Sequence, residues 1–169
     1  MACLFELAAD CGDSRENALR FGKLFDGLSR RLSDGTPIRC MFQMSDIWQS
    51  DDRHWWCRVV PDGASLTGAV APVVTKPELL AEVARFLYEQ LKQSTDFRFA
   101  RVGWEIEASL DANDWLEARN SVSILPIGVV LNRELWMEIG SPASFHTFGT
   151  DYFWKPLEDS DYLSLALWL

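Results

Sequence analysis

Apolar residues recur at steps of three and four in two stretches of this chain, and at steps of two in the stretches between them. Ala18, Phe21, Phe25, Leu28 and Leu32 share one face of a helix, and Leu80, Val83, Ala84, Leu87 and Leu91 share another. A helix returns to the same face every 3.6 residues whereas a strand alternates, so the two periods are not interchangeable. Asp13 followed by Glu16, and Thr75 followed by Glu78 with Pro77 in the first turn, have the spacing of N-terminal capping boxes. The first helix is therefore expected over 14–32, and the second starts at the second box.

The period-two stretches fill the gaps. CLFELAA, 3–9, reads as a first strand. Ile38, Cys40, Phe42 and Met44 alternate with Arg39, Met41 and Gln43, and the pattern resumes from His54 to Val60, which predicts a hairpin with tryptophans at its tip. PDGASLTGAVAPVVT, 61–75, is a long connection rich in small residues. From Phe97 to Glu107, Ala100, Val102, Trp104 and Ile106 fall on one side, with Arg101, Glu105 and Glu107 on the other. The order is strand, helix, strand, strand, helix, strand. It predicts an α+β fold with two helices packed on a mainly antiparallel sheet, in ferredoxin-like βαββαβ order. After the polar loop DANDWLEARN, strand-like runs at 121–131 and 135–139 extend the sheet, and the tail LSLALWL packs as a last strand or short helix. A chain of 169 residues reads as one domain over 1–169, long enough to bury about 70% of the surface its unfolded form exposes.

The formal net charge is −9, and it is unevenly spread: 12 basic and 14 acidic residues up to position 100, then 4 and 11. An acidic field repels phosphate backbones and anionic lipid, so neither nucleic acid nor membrane is expected as a partner, and a basic protein is. The N-terminus lacks a basic segment ahead of its apolar stretch, which Glu6 interrupts, so it does not read as a signal peptide. The longest apolar run, Ile124 to Leu131, is far shorter than the roughly 20 residues that cross a bilayer. A cytoplasmic protein is expected.

Motifs for catalysis are weak. The chain has two histidines. His54 lies beside Asp51 and Asp52 and three residues before Cys57, but a strand puts positions 54 and 57 on opposite faces. His146 with Asp151 or Tyr152 is the other possible acid–base set, and both histidines read more simply as loop residues. Asp111, Asp114 and Glu117 lack the glycine and alternating ligands of a calcium loop, and Glu105 with Glu107 reads as a charged outer sheet face. Cys3, Cys11, Cys40 and Cys57 contain no CxxC pair and are expected to be reduced, buried thiols. No glycine-rich loop forms a phosphate cradle. No cofactor, metal or catalytic residue is assigned.

Eight tryptophans remain to be placed. Trp55 and Trp56 point to opposite faces of their strand, so they cannot enter one core. Trp115 lies in an acidic loop, and in FGTDYFWKP, 148–156, Tyr152 and Trp154 share a side opposite Phe153. Tryptophan and tyrosine anchor protein interfaces, and acidic neighbours steer basic partners. Two partner-binding patches are expected: Trp115 with Asp111, Asp114 and Glu117, and Asp151 with Tyr152 and Trp154. The corresponding function is a small acidic protein-binding protein, most concretely an immunity or antitoxin-type inhibitor that covers a basic toxin. The alternative is a small-molecule binder or enzyme with a pocket near His146 or His54. A homo-oligomer could use the same aromatics.

Overall fold

The computed structural model describes residues 4–49, 52–65, 74, 76–104, 106 and 126–164. Within them the chain is α+β, with four helices and one large antiparallel sheet. The elements run β1 (Phe5–Asp10), α1 (Arg15–Phe25), β2 (Ser29–Arg31), β3 (Pro37–Gln49), β4 (Asp52–Pro61), α2 (Pro77–Leu91), β5 (Phe99–Trp104), β6 (Val130–Asn132), α3 (Arg133–Glu138), β7 (His146–Gly149), β8 (Tyr152–Trp154) and α4 (Asp159–Ser164). The strands lie in the order β2-β3-β4-β1-β5-β6-β8-β7. Every adjacent pair is antiparallel.

Two neighbouring cross-strand rows show how the sheet is covered. In one, Met44, Cys57, Ala9, Ala100, Val130 and Trp154 face each other in register, and they belong to or pack against the cluster that includes Phe21 and Phe25 of α1 and Leu80, Leu87 and Leu91 of α2. One residue along, Trp56, Asp10, Phe99, Leu131 and Phe153 form the next row on the opposite face. There Trp56, Phe99 and Leu131 join Leu135 and Ile139 from α3 and its C-cap in a second cluster. Alternation along a strand sends adjacent residues to opposite sides, so both sides must be covered where both rows are apolar. The hairpin tryptophans follow that rule: Trp56 is buried in the second cluster, while Trp55 packs half-buried against the first, with the Arg15 guanidinium over its ring at 5.7 Å.

Several expectations are corrected. α1 stops at Phe25 rather than 32, because Asp26 is extended and Gly27 takes φ 73; Leu28 and Leu32 then flank β2 instead of extending a helix. Its N-cap is Ser14, whose hydroxyl accepts the Asn17 amide, one residue after the predicted Asp13. α2 begins at Pro77 after Lys76, with no side-chain cap. The predicted strand 135–139 is mostly α3, capped by Asn132 through a 2.9 Å bond from the Leu135 amide. Of the run 121–131, Val130 and Leu131 lie in β6 and residues 121–125 lie outside the described residues. The outer face of β5 is not purely charged: Phe99 and Gly103 are buried there, while Glu105 and Glu107 lie outside the described residues. Of the tail, Leu163 and Ser164 end α4, and 165–169 lie outside the described residues. Cys11, Cys40 and Cys57 are free and buried.

Candidate functional site

The turn between β7 and β8 meets the start of α3, and a cavity of about 540 Å³ opens between them. Residue 151 of that turn is an aspartate at φ 61, the left-handed region where aspartate is tolerated better than most side chains. Two bonds from one residue hold it there: the Arg133 amide donates to the Asp151 carbonyl and the Arg133 Nε to its Oδ1, each at 2.8 Å. The turn is therefore tied to the first residue of α3. Glu134 follows on the exposed face, and Met137, one helical turn after Arg133, is 60% exposed. Thr95, Asn132 and Thr150 add neutral polar groups to the wall.

Tyr152 forms the floor of this groove instead of projecting from it, which corrects its expected role as an exposed anchor. It is buried, its ring stacks on Phe97 at 4.3 Å, and its hydroxyl donates to the Phe97 carbonyl at 2.7 Å. Burial pushes its phenol up to about 12. Trp154 is half-buried on the same side of β8, 5.7 Å from Tyr88 and 5.2 Å from Phe148. Phe153 goes to the other face and stacks on Trp136 at 4.0 Å. FGTDYFWKP is thus core on both sides, with only Thr150 and Asp151 of its turn exposed. The other expected patch, Asp111, Asp114, Trp115 and Glu117, lies outside the described residues.

A second polar constellation joins the ends of β1, β4 and β5. Asp10 is fully buried, yet its carboxylate accepts from the Gly12 amide at 2.7 Å and from Arg98 Nη1 at 3.2 Å, and lies 3.0 Å from His54 Nδ1. His54 is therefore a strand residue held by a buried acid, not a loop histidine. Arg98 Nη1 also comes within 3.2 Å of His54 Nδ1. Sequence reasoning missed Asp10 and Arg98 altogether. His146 is exposed on β7. Cys57 lies on the other face from His54, so no Cys–His pair forms; its sulfur meets Cys11 Sγ at 3.4 Å instead. That contact, with burial, pushes the Cys11 thiol far above its ordinary range. Among the described residues no group of histidine, cysteine and carboxylate side chains could hold a metal ion, and no helix is long and apolar enough to cross a membrane.

Compared with family models, with curated proteins and with solved structures, the chain matches none.

Proposed function

We propose that this chain is a cytoplasmic protein-binding protein that engages a basic partner through the groove between α3 and the β7–β8 turn. The observation that carries the reading is the juxtaposition, on one cavity wall, of exposed Glu134 and Asp151 with a largely exposed methionine, Met137. A methionine flanked by Glu134 and by Asp151, the latter already paired with Arg133, suits a lysine or arginine whose aliphatic stem lies on the methionine while its charge meets Glu134. The most concrete role of this kind is an immunity or antitoxin-type inhibitor that covers the active site of a basic toxin. Within the sheet, β3-β4-β1-β5 with α1 and α2 would be the ferredoxin-like unit, and β6, β8 and β7 the extension that builds the groove.

The test is a tagged pull-down at low and high salt, comparing the wild-type chain with Glu134→Lys and Met137→Asp. The expected result is one basic protein, retained at low salt, released at high salt, and held about tenfold more weakly by either variant. Retention that ignores both substitutions, or recovery of the chain alone, sinks the proposal.

A second reading, a small-molecule site near His54, is favoured by the cluster of Asp10, His54 and Arg98 at one end of the sheet. It predicts that His54→Ala abolishes small-molecule binding while Glu134→Lys leaves it intact, as calorimetry on the purified protein would read.

A further inference from the structure

β2 is the outermost strand on its side of the sheet, and all three of its side chains are exposed. In an antiparallel pair, alternate residues turn their backbone groups toward opposite neighbours. The Leu32 amide donates to the Thr36 carbonyl at 2.8 Å, and the Leu28 carbonyl accepts from the Cys40 amide at 2.7 Å. Arg30, opposite Ile38, continues the same series, so the even-numbered residues bond to β3. The amides and carbonyls of Ser29 and Arg31 then point to the open edge. Pro37, with no amide to give, sits opposite Arg31, where the ladder asks for none.

This edge is basic in an acidic chain. A cavity of about 390 Å³ is lined by Ser29, Arg30, Arg31, Arg39 and Asp62, among others. Arg30 is committed elsewhere, 3.0 Å from Glu89 and 5.1 Å over the Phe86 ring. Arg31 donates to the neutral Gly35 carbonyl at 2.7 Å, and among the described residues neither Arg31 nor Arg39 is ion-paired with a carboxylate. Arg39 is the register partner of Ser29, so Arg31 and Arg39 lie on one face of the sheet. Met41, 46% exposed, continues that face.

Charge at an edge strand deters unwanted pairing between copies. Arginines on a chain of net charge −9 also select for an edge of the opposite sign. We propose that β2 accepts an extended acidic segment of another protein as an added strand. The segment's backbone bonds to Ser29 and Arg31, and its carboxylates meet Arg31 and Arg39. β2 and β7 are the two extremes of the strand order, so this surface is separate from the groove at the β7–β8 turn and does not depend on it.

The probe is a short synthetic peptide alternating glutamate with valine, labelled with fluorescein and read by anisotropy against the full chain at low ionic strength. The expected result is saturable binding, weakened at least about tenfold in Arg31→Glu/Arg39→Glu and in the milder Arg31→Ala/Arg39→Ala, with unchanged far-UV circular dichroism. A lysine–valine peptide is expected not to bind. N-methylation of alternate peptide amides, which leaves charge intact, is expected to abolish binding. No binding at millimolar peptide, equal affinity for the lysine peptide, or indifference to the arginine substitutions overturns the proposal. Undiminished binding of the N-methylated peptide overturns strand addition.

Discussion

Asp10 gathers polar contacts from three places in the chain onto one buried side chain. Its carboxylate has no exposure, and three donors from three segments converge on it: the Gly12 amide, His54 and Arg98. A buried acid of this kind is tolerated because it is bonded, and removing it strands its partners. Asp10→Ala is expected to cost about 3 kcal/mol in urea unfolding, and Asp10→Asn less, because an amide oxygen still accepts from Gly12. A loss below about 0.5 kcal/mol for the alanine variant would show that the three contacts do little. None of this was legible locally. His54 and Arg98 are 44 and 88 residues from Asp10 in sequence, and no periodicity connects residues that far apart. Asp151 was legible as an exposed acid, but its left-handed backbone and its bond to Arg133 were not.

Elements were read well where one face was apolar and poorly where two periods overlapped. The buried stripe of α2 is where the three-and-four spacing put it, and the β3–β4 hairpin follows its alternation. α1 was read too long because Leu28 and Leu32 keep the helical spacing past Gly27, although the chain has already turned into β2. Leu135 and Ile139 suit a strand or a helix, and the signal that decides is Asn132 as a cap. α2 also carries a contact that no pattern reveals. The Tyr88 hydroxyl donates to the Gly128 carbonyl at 2.7 Å and accepts the Val102 amide at 3.1 Å, tying helix, sheet and the approach to β6 together. Tyr88→Phe keeps the ring but orphans both backbone groups, so a loss of about 2 kcal/mol in thermal or urea unfolding is expected. A variant as stable as the parent would mean that water replaces the hydroxyl.

For the whole molecule, all three tyrosines of the chain, Tyr88, Tyr152 and Tyr162, are buried, and burial raises each above its ordinary value of 10.0. Cys40 is pushed up to about 11 from 9.0 by the same cause. A phenol or thiol with a raised folded value keeps a proton that the unfolded chain releases. Its contribution is therefore fully present below the unfolded value and is lost as pH climbs beyond it. Stability should fall from about pH 9 upward. At pH 10 phenolate absorbance near 295 nm should be weaker in the folded protein than in the unfolded chain, and should rise on unfolding. A tyrosine that ionises at its ordinary value while the protein remains folded would contradict the burial. The position of β1 has a consequence of another kind. Leu7 pairs with Val59 on one side and Val102 on the other, so the earliest strand is also a central one. During synthesis one edge of it can pair once β4 has emerged, and the other edge stays open until β5 has left the ribosome.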